Sequence, residues 1–327
     1  MTSTDGAFYC VCDSRYFLGA VGMLNSLRVV GHAEPMYVLD CGLTPDQREL
    51  IAPHVTLVAG PSDVPPYMLK TIAPLRHPSP ITVLIDTDVI VTRPLTDLIS
   101  TAAHGQVVGF RNNSDRFFAE WGRLLDLGTP RRRPYVSVSL VLLGGTLGSE
   151  VLRLLDDRQR RVDFDHSLYG RNVSGYPFTY PEQDVLNAII ATRAEADPVV
   201  ALDERGEAVP PFDGLSVVDA QRLRCSYDDG TEPYFLHHFM DRKPWLHATE
   251  PGIYSRLLSR LLVADDLQVR VPERAIPLRL RTGWSAALDR KRVQAVQRFR
   301  WYVGEPLSTR FRGLRARLSN RAATTGD

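Results

Sequence analysis

Lysine is scarce in this sequence, and long hydrophobic runs are absent from it. Only Lys70, Lys243 and Lys291 are lysines among the 39 basic residues. No run of about 18 apolar residues occurs, which argues against a membrane-spanning helix. The N-terminal MTSTDGAFYC has neither the basic region nor the apolar core of a secretory signal. We therefore expect a cytoplasmic protein.

Cysteine is also rare, with four residues among 327. Cys10 and Cys12 alternate within FYCVC, a pattern typical of a strand. They have no second cysteine pair and no nearby histidines, so a zinc site is not indicated. We expect reduced cysteines that belong to the core, as in most proteins of reducing compartments.

The net charge of +1 hides an uneven distribution of charge. Residues 270–321 contain 14 basic and three acidic residues, about +11, so the rest of the chain carries about −10. The aromatic residues of this basic region are Trp284, Phe299, Trp301, Tyr302 and Phe311. Arginine mixed with aromatics at helical spacing favours peripheral contact with an anionic membrane, with a protein contact as the alternative. Binding of nucleic acid is less well supported.

The first half of the chain alternates between strand and helix patterns. Strands are predicted at 8–12, 36–42, 55–60, 81–91, 106–110 and 138–145. Helices are predicted after the first strand, after Thr44 as an N-cap with Pro45 in the first turn, and over 181–190. This order predicts an α/β fold with a mostly parallel central sheet, in which ligands bind beyond the carboxyl ends of the strands.

Two carboxylates interrupt the most apolar strand pattern, TVLIDTDVIV. In a continuous strand Asp86 and Asp88 point to the same side. Adjacent buried carboxylates repel each other unless a cation neutralises them, and oxygen ligands suit magnesium or manganese. A structural or capping role is the alternative. A second acid-x-acid triplet, residues 163–165, has polar flanks and is interpreted as a solvated loop.

Four segments in the order of one known family span about residues 8–246. LIDTDVIV resembles the DxD motif of GT-A fold glycosyltransferases. CDSRYFLGAVGMLNSL, PEQDVLN and HHFMDRKPW resemble segments of glycosyltransferase family 8, which includes glycogenin and bacterial lipopolysaccharide galactosyl- and glucosyltransferases. The resemblance implies a GT-A catalytic domain over 1–262, followed by a basic helical extension over 263–327.

The resemblance also implies residue roles. Asp13 and Tyr16 would hold the nucleotide base, and Lys70 would lie near the nucleotide. Asp86 and Asp88 would bind the metal with His237 as third ligand, Asp86 also contacting the ribose. Lys243 would contact the diphosphate. Gln183 and Asp184 would lie beside the donor sugar as catalytic residues.

Two positions depart from the family pattern. The glycine of the family's HxxGxxKPW is Met240 here, and its side chain could crowd the diphosphate. The asparagine that faces the donor sugar is replaced by serines, with Ser137 and Ser139 as the local candidates. Because a hydroxyl reaches less far than an amide, we expect the donor sugar to differ from the family's usual galactose or glucose.

The implied activity is metal-dependent transfer of a hexose, with retention of anomeric configuration. The donor would be a nucleoside-diphosphate sugar, UDP-linked in preference, and the cofactor manganese, with magnesium as the alternative. The acceptor would be a hydroxyl of a glycan, glycolipid or small natural product. A catalytically inactive nucleotide-sugar binding protein and a nucleotidyltransferase are the alternatives.

Overall fold

A computed structural model describes residues 6–61, 64–193, 199–240, 242–247, 252–284, 287–289, 291–293 and 295. Its strands are β1 (Gly6–Cys12), β2 (Met36–Asp40), β3 (Thr56–Ala59), β4 (Ile81–Ile85), β5 (Val89–Val91), β6 (Val107–Phe110), β7 (Leu140–Gly144), β8 (Val199–Leu202), β9 (Glu207–Ala208), β10 (Leu215–Asp219), β11 (Arg224–Tyr227) and β12 (Phe235–His237). Its α-helices are α1 (Phe17–Val29), α2 (Pro45–Ile51), α3 (Ile72–Arg76), α4 (Thr96–Ala103), α5 (Trp121–Leu124), α6 (Gly145–Arg158), α7 (Pro181–Arg193) and α8 (Ile253–Val263).

The central sheet is mostly parallel, as the sequence predicts. Its strand order is β3-β2-β1-β4-β7-β6-β8. The first four strands run parallel to one another, β8 is parallel to β6, and β7 is antiparallel to both neighbours. The predicted cap of α2 is present, because the Thr44 side chain accepts from the backbone of Gln47 and the Gln47 side chain accepts in return.

Two hydrophobic layers cover the faces of this sheet. Along β1, Phe8, Cys10 and Cys12 point into the layer that contains α1 and α8. Ala7 and Tyr9 point into the opposite layer, which contains α6 and α7. The alternation follows from strand geometry. All four cysteines are free and buried, as expected of core residues.

One predicted strand is wrong in its extent. Residues 81–91 form β4 and β5, separated by a turn at residues 86–88, and these two strands lie in different sheets. Asp86 and Asp88 therefore occupy a turn and do not share a face of one strand. Carboxylates need not lie in a continuous strand to converge, and this turn begins directly at the carboxyl end of β4.

A small second sheet lies beside the turn. Its order is β5-β12-β9, with β12 antiparallel to β5 and parallel to β9. The register pairs Val89 with His237 and Glu207 with Phe235. Strands of two or three residues carry little periodic signal, and β9 is absent from the predicted elements.

Gly19 allows α1 to pack closely against the turn at residues 86–88 and against Trp245. A Cβ atom at Gly19 would lie 2.6 Å from the carbonyl oxygen of Thr87 and 2.8 Å from the Trp245 ring. The Trp245 indole donates a hydrogen bond of 2.8 Å to the carbonyl of Arg15. A side chain at Gly19 would push the turn at 86–88 and the KPW segment apart.

Beyond α8 the chain packs against α1 before it leaves the described region. The Asn25 amide donates to the carbonyls of Leu261 and Val269 and accepts from the Val269 backbone, so it joins three segments. The boundary at residues 262 and 263 stays a prediction. Most of the basic region lies outside the described residues, including all aromatics named above except Trp284. In the part of the chain that is described, no helix is long and apolar enough to cross a bilayer.

Candidate active site

Asp86, Asp88 and His237 form one cluster of potential metal ligands. One ligand atom from each lies within 4.8 Å of the other two. Two segments far apart in sequence build the cluster, the turn after β4 and the end of β12. The backbone amide of His238 donates to the carbonyl of Asp88 at 3.0 Å, which holds the two segments together. We call these three residues the acidic cluster.

Hydrogen bonds fix the orientation of the His237 ring. Its Nδ1 lies 2.7 Å from Glu207 Oε1, and its Nε2 lies 3.4 Å from Asp88 Oδ1. One ring nitrogen is thus engaged by Glu207, and the other faces the acidic cluster. The sequence prediction did not include Glu207.

Two lysines compensate the charge of the cluster. Lys70 Nζ lies 2.5 Å from Asp86 Oδ1 and 3.2 Å from Glu182 Oε2. Lys243 Nζ lies 2.5 Å from Asp88 Oδ2 and 2.5 Å from the carbonyl of His238, and the residue is only 3% exposed. Buried charges persist only when they are paired in this way. Lys70 and Lys243, the two lysines with predicted roles, therefore lie beside the acidic cluster. An anionic ligand held there through a cation would contact them.

The neighbouring cationic side chains affect the pKa values of the two aspartates differently. Burial raises the pKa of Asp86, Lys70 opposes this effect and the Asp88 charge adds to it. Burial also acts to raise the pKa of Asp88, but His237 and Lys243 outweigh it and hold that pKa well below its usual range. Burial alone would lower the pKa of His237, whereas the carboxylates of Asp88 and Glu207 raise it to about 10. Of the two aspartates, Asp88 is thus the one more firmly held in its ionised form.

A cleft of about 800 Å³ opens over the acidic cluster. Nine of the eleven predicted site residues line it: Asp13, Tyr16, Lys70, Asp86, Asp88, Ser137, Gln183, His237 and Lys243. The other two, Ser139 and Asp184, are not among the lining residues. The volume lies within the range typical of ligand sites in proteins.

The start of α7 divides its polar residues between the cleft and the protein interior. Glu182 lines the cleft, and its Oε1 is buried without a hydrogen-bond partner among the described residues. Burial raises the pKa of Glu182 to about 7, an effect that Lys70 opposes. Gln183 also lines the cleft, and its Oε1 accepts from the Val138 backbone at 3.2 Å. The sequence prediction named Gln183 and not Glu182, although both follow Pro181.

Asp184 points away from the cleft into a buried network. Arg116 donates to its two oxygens at 2.9 and 3.1 Å, and the Tyr135 hydroxyl donates at 2.7 Å. The Tyr180 backbone amide donates a further bond of 2.8 Å. Asp184 thus ties the start of α7 to the core, whereas its neighbour Gln183 lines the cleft.

The two serines at the family's asparagine position bond to an acid. Ser137 and Ser139 place their hydroxyl oxygens 3.1 and 2.8 Å from Glu207 Oε1, and 3.0 Å from each other. Ser137 also lines the cleft. Its hydroxyl is therefore engaged within the protein, which was not expected from the sequence.

The residues expected to hold the nucleotide lie at the start of α1. The Asp13 carboxylate accepts from the backbone amides of Arg15 and Tyr16 at 2.9 Å each. The Tyr16 ring packs edge-on against Trp245, and Lys243 Nζ lies 5.7 Å from its centroid. The βα turn and the KPW segment thus meet at one end of the cleft.

Four aromatic and apolar side chains line another part of the cleft, and we call them the aromatic wall: Tyr67, Leu168, Tyr169 and Tyr180. Tyr67 and Tyr169 stack with ring centroids 4.0 Å apart and planes inclined by 11°. Tyr169 is 56% exposed. Leu168, Tyr169 and Tyr180 lie in the segment between α6 and α7.

Two further positions bear on the sequence prediction. Met240 is half-exposed and is not among the residues that line the cleft, and its effect on a bound diphosphate stays a prediction. In the second acid-x-acid triplet, the Asp163 side chain accepts from the Asp165 backbone, and Asp165 pairs with Arg171. Within the described residues this triplet is not part of a metal-ligand cluster.

Comparison with known proteins shows similarity in structure but not in sequence. No protein-family model matches the sequence, and no curated protein matches it significantly. The structure is similar to the crystal structure of an active-site glutamine-to-glutamate mutant of LgtC. The TM-score is 0.52 at 15% identity, over 83% of this chain and 98% of LgtC.

Other solved structures match with lower scores. Galactosyltransferase LgtC in complex with donor and acceptor sugar analogues matches with a TM-score of 0.49 at 14% identity, over 83% of this chain and 98% of LgtC. The apo form of glycosyltransferase GlyE from Streptococcus pneumoniae TIGR4 matches with 0.47 at 16% identity, over 73% of this chain and 55% of GlyE. The match with a TM-score of 0.52 shows that the fold of this chain is similar to that of the GT-A transferase LgtC, and the cleft contains a candidate metal cluster.

Proposed function

We propose that this protein is a metal-dependent glycosyltransferase that moves a hexose from a nucleoside-diphosphate sugar to a hydroxyl acceptor, with retention of configuration. The observation that carries the proposal is the convergence of the acidic cluster with Lys70 and Lys243 in the cleft of a GT-A fold. Carboxylates, an imidazole and two ammonium groups together suit a cation and the diphosphate bound to it. The UDP-linked donor follows from the family resemblance.

The donor set fits a divalent cation. Asp86, Asp88 and His237 would hold it, and two carboxylates with one imidazole suit manganese better than magnesium, which prefers oxygen alone. When bound, such a cation neutralises negative charge on the departing nucleoside diphosphate. Glu207 already occupies the other nitrogen of His237, which supports metal binding through Nε2.

The two lysines would exchange carboxylate partners for phosphate oxygens. Lys243 is buried against Asp88, and Lys70 bridges Asp86 and Glu182. With a donor bound, their ammonium groups would face charge that develops as the nucleotide leaves. Positive groups held at that position accelerate the reaction because they need no reorganisation.

Glu182 and Gln183 would face the donor sugar. The unpartnered Oε1 of Glu182 is suited to accept a hydrogen bond from a sugar hydroxyl, because a buried carboxylate oxygen without a partner is costly. Gln183 would support the positive charge of the sugar as the acceptor attacks on the side that the nucleotide leaves. LgtC has a glutamine in its active site, as the name of its mutant structure states. Asp184 would then position α7 and not contact the substrate.

The acceptor would enter over the aromatic wall. Tyr169 and Leu168 are exposed there, and exposed apolar patches in a cleft often mark ligand contacts.

Peripheral contact of the basic C-terminal region with the inner face of an anionic membrane remains part of the proposal. It would favour a membrane-associated acceptor.

Hydrolysis of sugar nucleotides in the absence of an acceptor tests the donor side of this proposal. The purified protein is mixed with manganese and UDP-, GDP- or dTDP-sugars, and the released nucleoside diphosphate is measured. We expect release from one donor, which EDTA and Asp88→Ala abolish. NMR of the transfer product then tests retention, and inversion would overturn the proposed mechanism.

A panel without turnover needs a second measurement. Calorimetric titration with UDP is carried out with and without manganese. It distinguishes a protein that binds the nucleotide without turnover from a protein to which the proposed function does not apply. Manganese-dependent binding without turnover would indicate a catalytically inactive nucleotide-sugar binding protein. An absence of binding would contradict the proposed function altogether.

A further inference from the structure

Glu207 is a buried acid at the centre of a hydrogen-bond network. It is 7% exposed and lies on β9. Its Oε1 lies 2.7 Å from His237 Nδ1, 2.8 Å from the Ser139 hydroxyl and 3.1 Å from the Ser137 hydroxyl. A carboxylate oxygen only accepts hydrogen bonds, so all three partners donate. The His237 ring therefore carries a hydrogen on Nδ1.

The small sheet determines this arrangement through its register. On one side of β12, Val89 pairs with His237, which places His237 next to Asp88. On the other side, Glu207 pairs with Phe235, two residues before His237. Residues two apart in a strand point to the same side, so the Glu207 side chain lies beside the His237 ring. A metal ligand and an acid that holds it thus come from adjacent short strands.

We propose that Glu207, held by Ser137 and Ser139, is a positioning residue that directs Nε2 of His237 toward the metal. This inference rests on the proposed function, because it assumes that His237 binds a cation. Partners of this kind fix the tautomer and orientation of a ligating histidine, and their loss typically lowers metal affinity roughly 10- to 100-fold. Ser137 and Ser139 would act through Glu207, which gives the serines at this position a task other than direct contact with the sugar.

A purely structural role for Glu207 is the competing explanation. A buried acid with three donors also stabilises the fold, and its loss would lower stability without a selective effect on the metal. The two explanations differ in their dependence on His237. If Glu207 acts through His237, its substitution has no effect on metal affinity once His237 is absent.

The experiment is a double-mutant cycle on manganese affinity, measured by calorimetry in the presence of saturating UDP. The variants are Glu207→Gln, His237→Ala and the double variant, with Glu204→Gln as control. Glu204 is an exposed acid that lines the same cleft and has no predicted role, so its variant loses the same charge. Thermal unfolding of each variant measures the effect on stability.

We expect Glu207→Gln to weaken manganese binding roughly 10- to 100-fold in the wild-type background and less than about twofold in the His237→Ala background. Glu204→Gln should stay within about twofold of wild type. An equal loss in both backgrounds, or no loss in either, would overturn the inference. If wild type binds no manganese, the proposed function itself fails.

A second variant covers the case in which Glu207→Gln does not fold. Ser139→Ala removes one of the donors that hold the carboxylate and leaves Glu207 in place. We expect a loss of manganese affinity of several-fold, again only while His237 is present. An unchanged affinity in a folded Ser139→Ala protein would contradict the role given to the serine.

Discussion

Two parts of one cleft differ in how firmly their side chains are held. Around the acidic cluster, Lys243 is buried between Asp88 and the carbonyl of His238. Along the aromatic wall, Tyr169 and Leu168 are exposed. Firm positioning favours stabilisation of charge, because the groups need no reorganisation during the reaction. An exposed wall built from loops suits an acceptor whose identity varies between related enzymes.

The largest effect is expected at the best-held group of the acidic cluster. Asp88→Ala removes a proposed metal ligand and leaves Lys243 without its carboxylate. Because a bound cation contributes several kcal/mol to stabilisation of developing charge, we expect donor hydrolysis to fall roughly a thousandfold. Released nucleoside diphosphate measures the rate, and calorimetry measures manganese affinity.

The matched control uses the second acid-x-acid triplet. Asp165→Ala alters an exposed aspartate that pairs with Arg171. We expect its hydrolysis rate and metal affinity to stay within about twofold of wild type, because exposed ion pairs contribute little. If Asp88→Ala retained full activity, the comparison between the two parts of the cleft would lose its basis.

The second prediction compares Asp184, a buried acid outside the cleft lining, with the buried acids that line the cleft. Asp184→Ala removes a carboxylate that accepts from Arg116, Tyr135 and the Tyr180 backbone. Loss of one partner of a buried ion pair costs about 3 kcal/mol, so we expect the free energy of unfolding to fall by about that amount. Urea unfolding followed by circular dichroism measures it.

Asp157→Ala is the control for this variant. Asp157 is an exposed acid that pairs with Arg158, and its loss should change stability by less than about 0.5 kcal/mol. If Asp184→Ala were as stable as wild type but lost donor hydrolysis, Asp184 would be catalytic, as the sequence analysis predicts. A loss of stability with residual activity would support the positioning role.

The third prediction concerns the competition between a lysine and a metal for one carboxylate. Lys243 Nζ lies 2.5 Å from Asp88 Oδ2, so it opposes a cation there and attracts a diphosphate. We expect Lys243→Met to weaken UDP binding in the presence of manganese roughly tenfold or more. Manganese affinity without nucleotide should be equal or higher. Calorimetry measures both.

Lys291→Met provides the control, because Lys291 is exposed and lies outside the cleft lining. Neither affinity should change in that variant. Weaker manganese binding without nucleotide in Lys243→Met would show that the lysine supports the acidic cluster more than it competes with the metal.

The sequence predicted more of the central sheet than of the site. Strands of the central sheet, such as β1 and β7, carry long apolar patterns because both faces of the sheet are buried. The N-cap of α2 at Thr44 was predicted because Thr44 and Pro45 are adjacent signals, and the structure adds Gln47 as the second part of a capping box. These features depend on local sequence, which one chain is enough to show.

The acidic cluster was predicted by resemblance, and its geometry was not. Pairing of β12 with β5 joins residues more than 100 positions apart, and pairing of β12 with β9 joins Phe235 to Glu207, both through strands of two or three residues. Such pairing leaves no periodic signal. Glu207 was missed for this reason, since nothing in GEAVPP marks it as a partner of His237. Asp184 bonds to Arg116 and Tyr135, which position in a motif does not reveal, and its catalytic role stays a prediction.

The smallest effect is expected at the aromatic wall, and it tests the comparison from the other side. Tyr169→Ala removes an exposed ring that stacks on Tyr67. One such aromatic contact is worth about 1 kcal/mol, so we expect transfer to an acceptor to fall about five- to tenfold. Donor hydrolysis should not change, because the acidic cluster and both lysines remain. The ratio of transfer to hydrolysis, measured with a panel of simple sugars and glycosides as acceptors, checks this.

Trp284→Ala, a variant of a highly exposed aromatic outside the cleft lining, should leave the ratio unchanged. An equal fall of transfer and hydrolysis in Tyr169→Ala would mean that the aromatic wall contacts the donor, and the division of the cleft into a firmly held donor part and an exposed acceptor part would be wrong.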